Sequence, residues 1–86
     1  MVHAIKLNNF GKEEYISRSE AKKLFLELDK FEKIVLDFEG IKTVGQGFID
    51  EVFRVFQQSH PDINIEYINA NEDITFMIKR SVNAAR

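Results

Sequence analysis

The segment IVLDFEGIKTVGQGFIDEVFRVF, residues 34–56, constrains the fold more than any other part of the chain. Ile34-Val35-Leu36-Asp37-Phe38 is apolar except at Asp37 and predicts a strand covered on both faces. Glycines follow at 40, 45 and 47. Then Phe48, Ile49, Val52, Phe53, Val55 and Phe56 recur at helical spacing and make one apolar stripe. A buried strand, a glycine-bearing turn and an amphipathic helix form the first half of a βαβ unit. The turn then falls at the carboxyl end of a central strand, where open α/β sheets carry function. It holds no Cys, His or Ser, so it marks a site without marking a chemistry.

The flanking segments extend this pattern. Residues 2–7 alternate, with Ile5 and Leu7 on one side, and predict a first strand. Asn8-Asn9-Phe10-Gly11 carries turn chemistry. Tyr15-Ile16 then predicts a short strand returning as an N-terminal hairpin over 2–16. Ser17-Arg18-Ser19-Glu20 has the spacing of a capping box. Ala21, Leu24, Phe25 and Leu28 continue it as a helix over 18–29, with Lys22, Lys23, Glu27 and Lys30 on its solvated side. The second helix is expected over 46–58, closed by His60-Pro61. Ile63, Ile65 and Tyr67 alternate along a further strand over 63–68. Asn71 caps a last helix in which Ile74, Met77, Ile78 and Val82 share a face, and 81–86 are expected to fray.

The expected fold class is α/β: a single small domain over 1–86, with a mostly parallel sheet of about four strands and three helices. The expected order is β-β-α-β-α-β-α, without repeats or linkers. Eight Phe within a 44% apolar chain of 86 residues suffice for one modest core. Twelve basic and fourteen acidic residues are mixed along the chain and give net −2. That argues against a nucleic-acid partner, which needs gathered positive charge. With no cysteine, disulfide frameworks, thiolate metal sites and thiol nucleophiles are excluded. No apolar run approaches the ~18 residues of a bilayer span, and no leader pattern opens the chain. A cytoplasmic protein without a membrane partner is expected.

Chemistry-bearing residues are sparse. His3 and His60 lie far apart, without the partners of a triad. Asp37, Glu39, Asp50 and Glu51 do not match a metal motif, and no cofactor is expected. Gly45 and Gly47 at a helix start suit either a phosphate cradle or a tight strand-to-helix turn, and the second reading is preferred. A small-ligand or nucleotide sensor using Gly45–Gly47 is the alternative function. The outward side of the second helix should show Gln46, Asp50, Arg54 and Gln57 or Gln58. Together with Thr43, Gly45 and Gly47 these form the expected partner-binding surface, with Arg54 its best single candidate. Leu26 and Phe76 lie off their helical stripes and, with the edge of the first strand, are candidates for a homodimer face.

Taken in order, Ser17-Arg18-Ser19-Glu20-Ala21, Asp37-Phe38-x-Gly40, Gly45-Gln46-x-Phe48 and Asn69-Ala70-Asn71 resemble the bacterial STAS-like domain family of unknown function. The resemblance covers roughly 16–78. That family is similar in turn to sulfate-transporter and anti-sigma-factor-antagonist domains, small α/β signalling modules. In the antagonists a phosphorylatable Ser stands at the start of a helix, where backbone N–H groups and the helix dipole receive the phosphoryl group. That Ser falls at or beside Gly47 here, so the resemblance implies the scaffold without the phosphoserine switch. Thr43 is the nearest hydroxyl, and it is expected to serve the turn. The resemblance implies a non-catalytic regulatory module that binds a protein partner, with a histidine-kinase-like ATPase the natural candidate.

Overall fold

A strand can be central only if both of its edges find partners, and Lys33–Asp37 meets that condition. The computed structural model describes residues 2–11, 14–26 and 28–84. In it the chain runs through β1 (Val2–Lys6), β2 (Glu14–Tyr15), α1 (Arg18–Leu24), β3 (Lys33–Asp37) and β4 (Thr43–Val44). The second helix, α2, follows over 46–59, then β5 (Asn64–Ile68) and α3 (Glu72–Ala84). β3 pairs in parallel with β1 and with β5, so that Ile5, Leu36 and Tyr67 stand side by side.

β2 departs from expectation. It does not return to β1 as a hairpin but pairs in parallel with β4, Glu14 to Thr43 and Tyr15 to Val44. A 3₁₀ turn over Leu7–Phe10, closed by Gly11 at φ 72°, leads the chain away from β1. The Tyr15 hydroxyl then donates to the Leu7 carbonyl at 2.8 Å and holds the ring in the core. The second sheet makes the order β-β-α-β-β-α-β-α, with five strands in two sheets among the described residues. The plan β-β-α thus occurs twice, β1 lying parallel to β3 and β2 parallel to β4.

Helix α1 is shorter than expected. Its capping box is present, but it ends at Leu24, and Phe25 closes it with φ −95° and ψ 6°. A 3₁₀ turn over Leu28–Lys30 follows. The expected apolar side is nevertheless kept, since Ala21, Phe25 and Leu28 are buried. Glu27 lies outside the described residues. In α2 the turns Glu51–Phe56 are π-helical, between α-helical Gln46–Asp50 and Gln57–Ser59. The wider turns broaden the apolar side. Phe53 meets Tyr67 edge-on at 6.0 Å, while Phe56 meets Phe25 at 4.8 Å.

Among the described residues the central strand is not covered on both faces. Ile34, Leu36 and Phe38 are fully buried, but Val35 and Asp37 on the other side are only half-buried. The order β1-β3-β5 advances in one direction, so crossovers of one hand lay their helices on the same face. At the C-terminus, Asn71 caps α3 through a 2.9 Å bond from the Ile74 N–H. Ile74 and Ile78 are buried as expected. Ser81 rather than Val82 continues the buried side: it is 2% exposed, against 39% for Val82. The fraying expected from 81 is not observed through Ala84, and Ala85 and Arg86 lie outside the described residues.

Candidate interaction site

The short sheet β2–β4 fixes the site, because each of its strands leads almost directly into a helix. The starts of α1 and α2 are thereby set side by side. The Gly45 N–H donates to the Tyr15 carbonyl at 2.8 Å, and the Gly45 carbonyl accepts the Ile49 N–H to open α2. A Cβ at Gly45 would stand 2.2 Å from the Ile16 carbonyl oxygen, so only glycine lets the two chains approach this closely. The Gly45 amide is thus engaged with Tyr15 in the tight strand-to-helix turn. Across the contact, α1 closes its own N-terminus. The Ser17 and Ile16 N–H groups both donate to Glu20 Oε1 at 3.0 Å, and the Ser17 hydroxyl accepts from the Glu20 N–H. Gly47 is half-exposed, and a Cβ there would meet the Arg18 side chain at ordinary contact distance.

Helix α2 has a helix on each side, and this sorts its polar residues. Gln46 and Asp50 are half-exposed and bonded to neighbours. Asp50 Oδ1 accepts from Gln46 Nε2 at 3.0 Å and from the Ser81 hydroxyl of α3 at 2.7 Å. Burial pushes the Asp50 carboxyl up. The bonds from Ser81 and Gln46, with Arg54 and Arg18 nearby, more than offset this and hold it below its ordinary value. Gln57 is likewise occupied, donating to the carbonyls of His60 and Ile63. Thr43 and Gln58 are exposed, and Gly47 and Arg54 half-exposed. Thr43, Gly45, Gln46, Gly47, Asp50 and Arg54 thus do lie on one stretch, β4 and the following turns of α2. Of these only Thr43 is exposed; Gly45, Gln46, Gly47, Asp50 and Arg54 are all partly buried, and Gly45, Gln46 and Asp50 carry the bonds just described.

A groove of about 380 Å³ lies between α1 and α2. Phe25, Val52 and Phe56 form its floor. His60 stacks on Phe56 at 4.2 Å, and Glu51 at the other side pairs with Arg18 at 3.5 Å. Leu26 stands at the lip, 70% exposed. The groove is invisible to helical periodicity, because it arises from the early end of α1 and the π-helical turns of α2. Its one signal in the sequence is Leu26, an apolar residue off the stripe.

At the upper rim of the large sheet, Asp37 Oδ1 accepts from Asn69 Nδ2 at 2.9 Å and from the Glu39 N–H at 3.0 Å. The Asn69 bond, then the Glu39 bond and the Lys6 charge, hold the Asp37 carboxyl below its ordinary value despite partial burial. Asn71 Nδ2 donates to the Lys42 carbonyl nearby. Among the described residues no three His, Cys, Asp or Glu side chains are grouped to hold a metal ion. No helix among them is long and apolar enough to cross a membrane.

No curated protein matches the chain, and no solved structure matches it. A family model does: that of the STAS-like domain of unknown function matches residues 20–75, within the 16–78 on which the resemblance was drawn. The matched stretch begins in the first turn of α1 and ends in α3, and it spans the turn at 43–47, the start of α2 and the residues lining the groove. On that match, covering well over half of its length, the chain belongs to the STAS-like domain family of unknown function.

Proposed function

We propose that the chain is a non-catalytic regulatory module that binds a protein partner through the turn at 43–47 and α2. The observation that carries this reading is the groove beside α2, with its apolar floor of Phe25, Val52 and Phe56 and exposed Leu26 at the lip. Exposed apolar surface rimmed by polar groups is typical of docking sites. Lys22, Asp29, Glu51 and His60 supply the polar margin of the groove, and with glycine at 47 the module works without a phosphoserine. A histidine-kinase-like ATPase is the first partner to try, by resemblance to the antagonist domains.

Two substitutions test the surface, with a thermal melt of each variant to check that the fold is kept. A side chain at Gly47 meets only ordinary contacts, so Gly47→Lys is accommodated. Arg54 is half-exposed, so Arg54→Glu changes charge at the surface. The measurement is quantitative affinity capture by wild type, both variants and Gln58→Ala as control, followed by titration calorimetry with the captured protein. One species retained by wild type and Gln58→Ala but lost with both variants is expected. Equal capture of every species by all four proteins overturns the assignment.

A further inference from the structure

The large sheet is parallel throughout, yet among the described residues nothing covers one of its faces. Parallel sheets are almost always covered on both faces. Register lays the bare face out as three rows, Val2–Lys33–Asn64, Ala4–Val35–Glu66 and Lys6–Asp37–Ile68. Val2, Ala4, Val35 and Ile68 make an apolar band running diagonally from the start of β1 to the end of β5. Val2 is 63% and Ile68 47% exposed, and Ala4 is exposed as well. The charges lie beside the band. Lys33 and Glu66 pair at 3.3 Å on one flank, and Lys6 and Asp37 hold the other.

We propose that this face docks one amphipathic helix contributed by a protein partner, making a helix–sheet–helix sandwich of a domain that is two-layered alone. The size of the face selects the occupant. Three strands ~4.8 Å apart and five residues long cover roughly 14 by 16 Å. A second copy seated face to face has only this face to bury, far less than the roughly 800 Å² per partner of a stable interface, whereas a partner's helix is one element of a larger contact. A single helix about 10 Å across and three turns long matches the band in both dimensions. Its apolar stripe lies over Ala4 and Val35, the low centre of the face, and an acidic residue on its flank meets Lys6. This surface lies across the sheet from α2 and is independent of the interaction proposed above.

The lack of native cysteine makes the test clean. Ala4→Cys carries a benzophenone photocrosslinker on the bare face, and Gln58→Cys carries the same group on α2 as control. Each protein, with and without Val35→Lys, is labelled after purification and irradiated in lysate of cells that express the unlabelled protein. The Val35 side chain is half-buried on the open side, so the lysine reaches water and the melting temperature stays within about 5 °C. The expected result is an adduct from position 4, absent from position 58, whose crosslinked peptide has apolar residues at helical spacing. It falls at least tenfold with Val35→Lys and persists with Gly47→Lys, which separates this proposal from the α2 surface. An adduct to a second copy of the chain, an adduct to a segment without helical spacing, an adduct insensitive to Val35→Lys, or none specific to position 4 overturns it.

Discussion

The Ile16 carbonyl oxygen occupies the space that a Cβ at Gly45 would need, 2.2 Å away. Two glycines that look alike in the sequence are therefore unlike in the fold. Gly45→Ala forces β2 and β4 apart at the point where both helices begin, and backbone on either side has little room to yield. The expected cost is about 3 kcal/mol or more. For a domain of this size that lowers the melting temperature by more than about 10 °C. Gly47→Ala meets nothing closer than 3.5 Å and sits in the first turn of a helix, so it is expected to be neutral or stabilising by up to about 1 kcal/mol. Thermal melts of the two variants check the contrast, and similar losses in both contradict it.

Asp50 and Ser81 tie α2 to α3 across thirty-one residues of sequence. Asp50→Ala leaves the hydroxyl of a 2% exposed serine without its acceptor and is expected to cost about 1–3 kcal/mol. Ser81→Ala removes the donor, while Gln46 still serves the carboxylate, and about 1 kcal/mol is expected. The two losses should not add: the double variant falls short of their sum by about 0.5 kcal/mol or more. Denaturant unfolding of all four proteins measures the coupling, and strict additivity shows that the bond contributes nothing.

What the sequence disclosed follows from range. β3, β5, α2 and the Ser17–Glu20 cap are written in local periodicity and spacing, and all are present. β4 is two residues long, and its pairing with Glu14–Tyr15 depends on chain nearly thirty residues away, so no local pattern announces it. Val35 lies in an apolar run that reads as buried on both sides, and strand order alone decides that its side of the sheet is open. Ser81 looked like part of a loose end because its partner, Asp50, belongs to another helix. At the site, the turn at 43–47 was legible from its glycines, but the division of α2 between α3 on one side and the groove on the other required the packing of three helices.

Acid should destabilise the fold through Asp37 and Asp50. Both carboxyls are held below their ordinary value in the folded state. A lowered folded pKa contributes stability that is present above the unfolded value, near 3.9, and is lost as pH falls below about 4 toward the folded value. Stability measured by urea unfolding should thus be flat with respect to these two groups from pH 7 to 5 and decline below that. Asn69 is the main cause at Asp37. Asn69 also sits at φ 58°, so Asn69→Gly removes the side-chain bond while keeping the backbone conformation. That variant should show a shallower acid decline than wild type, with the Asp37 carboxyl titrating closer to its ordinary value by NMR. An unchanged Asp37 titration rules out the assigned cause.

The start of α1 offers a last check, on how firmly the two helix starts are held together. Ser17 and Glu20 satisfy three backbone N–H groups between them, those of Ile16, Ser17 and Glu20. Ile16 is also the residue whose carbonyl faces Gly45. Ser17→Ala removes the acceptor for the Glu20 N–H, and Glu20→Ala frees the other two donors. Each is expected to cost about 1 kcal/mol as a helix cap. Loosening α1 should also be felt across the contact, because Arg18 lies against Gly47 and pairs with Glu51. Amide exchange in Glu20→Ala is therefore expected to quicken at Gly45–Gly47 as well as at Ile16 and Ser17, while β3 and β5 keep the protection of the global fold. Faster exchange confined to α1 means that the two helix starts are merely adjacent and do not support each other.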